Sequence, residues 1–162
     1  MFLNIHLKQM VKRIYLGILI ISILALISAY FIEYVLGYQP CNLCLLERIP
    51  YALSIIIILA HFKIKFNDKY VLLVLIIIFV ANALLSIYHF GIEQGLIEES
   101  FVCNAKDDLN LNKEQLLQEL QKMSISCKNV AFTIFGLSLT TYNILLSVII
   151  SVTLIKIYAK QK

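Results

Sequence analysis

The sequence is poor in charged residues, in proline and in glycine. Charged side chains make up 15% of its 162 residues, against about a quarter in a typical soluble domain, and 60% of the residues are hydrophobic. This composition argues against a soluble domain and predicts a membrane protein. With only 2 prolines and 5 glycines, and with no internal repeats or low-complexity linkers, residues 1–162 are expected to form one membrane domain with short connections.

Long stretches without charge predict four membrane-spanning helices. A bilayer core requires about 20 apolar residues per helix. Three uncharged runs of 19, 23 and 27 residues are long enough, whereas a fourth has only 14. In chain order the runs cover residues 14–32, 49–62, 70–92 and 129–155. We therefore predict an all-α, four-helix membrane bundle, with helices over about 14–34, 43–62, 70–91 and 138–158.

The first apolar run is expected to remain in the protein as a helix. It follows Lys8, Lys12 and Arg13, as the apolar core of a signal peptide would follow its basic segment. However, it is longer than the roughly 7–15 residues of such a core, and no good small-x-small cleavage site comes after it. Four retained spans would leave both termini on the same side of the membrane.

The distribution of charge predicts which side that is. The termini and the turn between the second and third helices contain 9 of the 14 Lys and Arg residues and one acid, Asp68. The two other loops, around residues 33–48 and 93–128, contain 5 basic and 9 acidic residues. The positive-inside rule therefore predicts cytoplasmic termini and two non-cytoplasmic loops. The net charge of +4 is a signal of topology, and no basic surface indicates a nucleic acid partner.

All four cysteines fall on the predicted non-cytoplasmic side. They are Cys41, Cys44, Cys103 and Cys127. An even number of cysteines in an oxidising compartment, which in a bacterium is the periplasm, is typical of disulfides. The first two form a C-x-x-C motif, the spacing of a reactive disulfide. A four-cysteine zinc site is an alternative, but the other two cysteines are loosely spaced and the membrane boundary is unfavourable for it, so no metal is predicted. The absence of C-x-x-C-H argues against covalent haem.

The shortness of the second apolar run draws polar residues toward the membrane. Fourteen residues reach about 21 Å, against a hydrocarbon core of about 30 Å. A spanning helix that ends at Phe62 must therefore begin near Leu43. Cys44 and Arg48 then share a helical face at the outer membrane boundary, where a helix N-terminus and a guanidinium both favour a thiolate. Pro50 lies inside this helix and is expected to kink it.

Other polar residues near this boundary have two interpretations each. Glu47 and Arg48 are either site residues or a simple interfacial ion pair in which the arginine extends to water. His89 and Glu93, four residues apart at the outer end of the third helix, are either an interfacial anchor or part of a site. Deeper polar side chains are expected to form hydrogen bonds between helices. These are Asn82, Ser86 and Asn143.

The long outer loop, residues 92–136, contains one further predicted helix. Apolar side chains fall along one helical face of residues 112–123, and Asn112 is suited to be the N-cap. This amphipathic helix would either lie on the membrane surface or bundle, or order the loop.

Several motifs together resemble the DsbB family of quinone-dependent thiol oxidases. Q-P-C-x-L-C-x-x-E-R-x-P-Y, residues 39–51, opens the second of the four helices. Y-H-x-G-x-E, residues 88–93, ends the third helix, and F-G-L-S-L, residues 135–139, leads into the fourth. With the loop cysteines, the resemblance covers about residues 14–158. The chain departs from the family in having no tryptophan: Phe132 stands where one commonly follows the last cysteine.

The resemblance implies an electron relay in a bacterial inner membrane. A DsbA-like periplasmic protein with a thioredoxin fold would attack Cys103 of a Cys103–Cys127 disulfide. Exchange would then pass the electrons to Cys41–Cys44. Cys44, as a thiolate, would donate them to a quinone held beside it in the membrane lipid.

The resemblance also implies how the quinone, either ubiquinone or menaquinone, would be held. Arg48 would stabilise the thiolate and the negative charge that develops on the quinone. His89 and Glu93 would line the pocket or carry its protons. Such an acceptor is needed because a DsbA-type partner is strongly oxidising, with a potential near about −120 mV. A lipid-soluble quinone reaches the C-x-x-C motif only at the membrane boundary.

Three other functions compete with this one. A vitamin K epoxide reductase-like oxidase also has two cysteine pairs on four helices, but its membrane-proximal C-x-x-C lies late in the chain. A reductant exporter of the DsbD type would carry cysteines within its spans, which this sequence lacks. A structural membrane protein with two stabilising disulfides belongs to another class and stays open at this point.

Overall fold

The described part of the chain folds mainly into helices. The computed structural model describes residues 2–64, 66–98, 103, 127–128, 132–134 and 136–160. The helices are α1 (Phe2–Tyr34), α2 (Asn42–Leu46), α3 (Ile49–Ile64), α4 (Asp68–Glu93) and α5 (Leu139–Lys160). A two-residue antiparallel hairpin precedes α5, with β1 (Thr133–Ile134) paired to β2 (Leu137–Ser138). Most of the 92–136 loop, including the predicted helix at 112–123, lies outside the described residues.

Four helical segments are long and apolar enough to cross a membrane. They cover Gln9–Tyr34, Asn42–Ile64, Asp68–Glu93 and Leu139–Lys160. Large apolar side chains are exposed on the outside of all four segments, where lipid would cover them. The prediction of an all-α, four-helix membrane fold is confirmed.

Two helix boundaries differ from the prediction. α1 begins at Phe2 rather than near residue 14, because lysine and arginine are good helix formers and the basic segment continues the apolar helix. The second span is divided, since α2 ends at Leu46 and α3 begins at Ile49. Pro50 has no N–H to offer the Leu46 carbonyl, and in the first turn of α3 that absence is tolerated. The expected kink is therefore a break between two helices.

The bundle has two differently built ends. α4 packs along α5, and α1 packs along α3. Near the start of α1 and the end of α5, the core is mainly apolar. Its buried members include Val11, Tyr15, Ile58, Leu72, Leu75, Phe79, Leu154 and Ile157. At the opposite end, a second buried cluster consists of Cys41, Leu43, Ile92, Cys103 and Cys127, with Cys44, Leu85 and Tyr88 packed against it.

A glycine-dependent cap fixes the end of α4. Gly95 has a φ of +71°, and the Leu96 N–H donates to the Gly91 carbonyl at 2.9 Å while the Gly95 N–H donates to the Ile92 carbonyl at 2.9 Å. This is the Schellman pattern of helix termination. Gly91 is also close-packed, since a Cβ there would lie 2.7 Å from the Cδ1 atom of Ile97. The cap ends α4 immediately after Glu93, beside β2.

Candidate functional site

All four cysteines lie in one region at one end of the bundle. Cys41 pairs with Cys44 and Cys103 with Cys127, with Cα–Cα distances of 5.1 Å and 5.8 Å, both within the disulfide range. Cys41 is 5% exposed, and Cys103 and Cys127 are 2% exposed. The pairs match those implied by the family resemblance. Both pairs belong to one packed cluster.

Within the part of the chain that the structure describes, two polar groups contact the sulfur of Cys41. Cys41 is the N-cap of α2, and the backbone N–H of Cys44 donates to its Sγ atom at 3.1 Å. The Nε2 atom of His89 lies 3.5 Å from the same sulfur. The backbone N–H donates a hydrogen bond to the sulfur, and Nε2 does so when it carries a proton. The sequence analysis placed thiolate stabilisation at Cys44, whereas these contacts favour Cys41.

His89 is buried between two carboxylates. Its side chain is 1% exposed, its Nδ1 atom lies 2.9 Å from Glu47 Oε1, and its Nε2 atom lies 3.9 Å from Glu93 Oε1. The Thr140 hydroxyl is 3.3 Å from Nδ1 and donates to Glu93 Oε1 at 2.6 Å. With Glu47 ionised, Nδ1–H donates to it and Nε2 is the nitrogen that faces Cys41.

Both carboxylates are satisfied by further hydrogen bonds. Asn143 donates from Nδ2 to Glu47 Oε2 at 2.9 Å, and Ser138 donates to Glu93 Oε2 at 2.7 Å. The Tyr51 hydroxyl donates to Asn143 Oδ1. Each oxygen of the two carboxylates therefore has a polar neighbour, as buried charged groups require.

The polar chain continues between α4 and α5. Asn143 Nδ2 lies 2.8 Å from Ser86 Oγ. Asn82 Nδ2 lies 3.4 Å from Asn143 Oδ1 and 2.8 Å from Ser147 Oγ. The prediction that Asn82, Ser86 and Asn143 form interhelical hydrogen bonds is confirmed. Hydrogen-bonded polar groups thus extend from the cysteine end into the middle of the bundle.

Arg48 is paired with α1. Its Nη1 atom donates to Glu33 Oε2, and its guanidinium lies over the Tyr30 ring, 5.0 Å from the centroid. The interpretation of Glu47 and Arg48 as an ion pair is wrong, because Arg48 pairs with Glu33 whereas Glu47 contacts His89 and Asn143. Arg48 nevertheless lines the same cavity as Cys44.

A cavity of about 440 Å³ connects these groups. Its polar lining consists mainly of Cys41, Cys44, Glu47, Arg48, His89, Glu93, Thr140 and Asn143. Its apolar lining comes mainly from α1, with Ile21, Leu24, Ala25, Leu26 and Ile32, and from Leu139 and Leu146 of α5. The volume falls within the roughly 300–1,000 Å³ of ligand pockets. Of the predicted site residues, Cys103 alone is absent from the lining, and Cys127 is part of it.

Sequence reasoning missed several polar contacts of the site, and it missed Thr140. Glu33 holds Arg48, and Glu47 holds His89, but neither pairing is visible from spacing because each joins two different helices. The α5 residues had a usable signal. Thr140, Asn143 and Ser147 are separated by three and four positions, which places them on one face of a helix.

Comparison with known proteins agrees with this architecture. The family profile described as disulfide bond formation protein DsbB matches residues 11–157. The chain belongs to the DsbB family. An uncharacterized protein of Rickettsia prowazekii (strain Madrid E) is 34% identical over 168 aligned residues, which cover 99% of this chain and 96% of that relative. Membership in the DsbB family indicates disulfide oxidoreductase chemistry in a multi-pass membrane protein.

For a DsbB-family chain, the arrangement offers three chemical capabilities. Two adjacent disulfides permit thiol–disulfide exchange. A buried imidazole between carboxylates can accept or donate a proton beside Cys41. A partly apolar cavity gives a small organic molecule access to Cys44.

Proposed function

We propose that this protein is a membrane thiol oxidase. It reoxidises a DsbA-like periplasmic dithiol partner, passes the electrons through its two cysteine pairs to a membrane quinone, and so sustains disulfide formation. The observation that supports this most strongly is the packing of both pairs in one cluster beside the cavity. A purely structural pair of disulfides has no need of a cavity lined by a sulfur from each pair.

The partner would enter the relay at the loop disulfide. Its thiolate attacks Cys103, the Cys103–Cys127 bond breaks, and Cys127 leaves as a thiolate while a mixed disulfide forms. Cys127 lines the cavity together with Cys41 and Cys44, so it is the sulfur positioned to continue the exchange. Because Cys103 is 2% exposed, the groups that cover it must move before a partner can attack.

The second exchange transfers the electrons to the C-x-x-C motif. Attack of the Cys127 thiolate on Cys41 breaks the Cys41–Cys44 bond and leaves Cys44 as a thiolate at the cavity. The partner's second thiolate then attacks the mixed disulfide, which releases the oxidised partner and leaves Cys103 as a thiolate. Cys103 attacks Cys127, the Cys127–Cys41 bond breaks, and Cys41 leaves as a thiolate. The Cys44 N–H and His89 Nε2 are placed to stabilise that leaving group, so the contacts of Cys41 agree with electron donation by Cys44.

The cavity fits a quinone, either ubiquinone or menaquinone. Apolar side chains of α1, such as Leu24 and Ile32, suit a ring and an isoprenoid tail, while Arg48 and His89 provide donors at the polar end. A bound quinone supplies the acceptor for two electrons and two protons. Arg48 stabilises negative charge next to Cys44, and His89, held by Glu47, transfers protons at Nε2.

The proposed location is the bacterial inner membrane, with the cysteine end of the bundle toward the periplasm. Support comes from charge, since 9 of the 14 Lys and Arg residues lie in the termini and the turn near residue 65. The four cysteines lie at the opposite end of the bundle from that turn.

The test is oxidation of a reduced thioredoxin-fold substrate by the purified protein in detergent, with and without added quinone. We expect turnover only with quinone, and its loss in the Cys44→Ser and Cys103→Ser variants. Thiol trapping of the same samples distinguishes the structural alternative. If all four cysteines remain oxidised and inert toward the substrate, the oxidase proposal is wrong.

A further inference from the structure

We propose that the reduced Cys41–Cys44 pair and His89 together bind a thiophilic divalent metal ion such as Zn²⁺. The two Sγ atoms and a ring nitrogen all lie within 4.8 Å of one another. The proposal goes beyond the thiol oxidase function, which assigns these residues to electron and proton transfer. Sequence spacing did not indicate this site because the third ligand comes from another helix.

The spacing of the ligand atoms suits a tetrahedral ion. Metal–sulfur and metal–nitrogen distances of about 2.3 Å and about 2.0 Å imply a sulfur–nitrogen separation of about 3.6 Å. The observed separation between Cys41 Sγ and His89 Nε2 is 3.5 Å. Cys41 and Cys44 belong to one C-x-x-C turn, the spacing at which a single turn supplies two thiolate ligands.

Glu47 orients His89 as a metal ligand requires. Metal-binding histidines commonly donate their second ring N–H to a carboxylate, which fixes the tautomer and the ring orientation. His89 Nδ1 lies 2.9 Å from Glu47 Oε1, and Asn143 holds the other Glu47 oxygen at 2.9 Å. Nε2 is therefore the nitrogen left for an ion, and it is the one that faces Cys41.

Charge and access also favour a divalent cation. Two thiolates and a neutral imidazole cancel the charge of the ion, so a buried complex carries no net charge from its three ligands. The cavity that Cys44 and Glu93 line provides an entry path and space for a fourth ligand.

Metal binding here exchanges protons and moves no electrons. Two S–H bonds break, two sulfur–metal bonds form, and two protons pass to solvent. The preceding two-electron reduction of the disulfide comes from the dithiol partner through the loop pair, or from a chemical reductant in the test. Because a metal-bound pair cannot form a disulfide until the ion leaves, Zn²⁺ is expected to slow reoxidation of the reduced protein.

The test uses the full chain in detergent with Cys103→Ser and Cys127→Ser, so that only Cys41 and Cys44 carry thiols. After reduction, Co²⁺ serves as the spectroscopic probe and Zn²⁺ as its competitor. We expect one Co²⁺ per chain, with thiolate-to-cobalt charge-transfer absorption and tetrahedral visible bands that Zn²⁺ removes. The oxidised protein should show none of these signals.

Two substitutions test the ligand set. In that background, Glu47→Gln preserves the side-chain volume and should lower Zn²⁺ affinity about 10- to 100-fold, as loss of an orienting carboxylate does at other sites. His89→Ala should lower it further. His61→Gln, at the opposite end of the bundle beside Asp68, is the matched control and should leave the affinity unchanged.

The proposal is overturned if the reduced protein shows no cobalt–thiolate absorption, or if His89→Ala binds Zn²⁺ as tightly as its parent. These metal titrations contain neither quinone nor partner. The oxidase assay is run with a chelator that removes free metal ions. Failure of the metal site and failure of the thiol oxidase function are therefore separate results.

Discussion

His89 illustrates how individual residues determine the chemistry of this site. An imidazole 3.5 Å from a cysteine sulfur and 2.9 Å from a buried carboxylate can hold a proton while the sulfur carries negative charge. Glu47 contributes by contacting Nδ1, which fixes the orientation of the ring. Its effect on the reaction is therefore indirect and requires a kinetic measurement to detect.

The first prediction concerns Glu47→Gln, which retains the hydrogen-bonding shape and removes the charge. A hydrogen bond to a charged group contributes about 1.5–3 kcal/mol, so we expect substrate oxidation to slow about 10- to 100-fold. Stopped-flow measurement of thiol loss in a reduced partner would show it. His61→Gln should retain the parental rate, and an unaltered rate in Glu47→Gln would remove the carboxylate from the reaction.

The second prediction separates Arg48 from the residue that holds it. Arg48 lines the cavity, whereas Glu33 contacts its guanidinium from α1. Arg48→Ala should raise the KM for quinone, and Glu33→Gln should raise it less because the guanidinium is still present. Steady-state kinetics with varied quinone would measure both. If the KM in Arg48→Ala equals that of the parent protein, Arg48 does not contact the quinone.

At the scale of secondary structure, the points at which helices are interrupted or end determine the position of the site. The break between α2 and α3 separates the short helix that carries the C-x-x-C motif from the rest of the span. The Schellman cap ends α4 just beyond Glu93, and β2 brings Ser138 to that carboxylate. The interruption between α2 and α3 depends on Pro50, which has no backbone N–H. The end of α4 depends on Gly95, which adopts a positive φ.

The third prediction compares two glycines. Gly95→Ala places a side chain at a φ of +71°, where an L-residue is disfavoured by about 1–2 kcal/mol. We expect a lower midpoint of thermal unfolding in detergent. Gly17→Ala is the matched control, because it lies inside α1 with open space around its Cβ position and should stabilise that helix by about 0.5–1 kcal/mol. An equal response of the two variants would contradict the assigned cap.

The sequence predicted the spans and the grouping of the cysteines because these depend on hydropathy and charge along one segment at a time. It also predicted a distortion of the second span at Pro50, because the missing N–H of a proline is a local property. The prediction was a kink, and the structure has two separate helices there. It did not predict the partners of Arg48 and Glu47, because those contacts depend on how each helix is rotated against its neighbours. The hairpin before α5 has strands of two residues, too short for an alternating pattern.

The last prediction concerns the orientation of the whole molecule. Four spans place the start of α1 and the end of α5 on one side, and the basic residues concentrated there favour the cytoplasm. A fluorescent protein that folds only in the cytoplasm should therefore fluoresce when fused after Lys162. A phosphatase active only in the periplasm should be active when inserted between α4 and β1, and inactive at the C-terminus. The reverse pattern would place the cysteines in a reducing compartment, where neither the disulfides nor the proposed oxidase could be maintained.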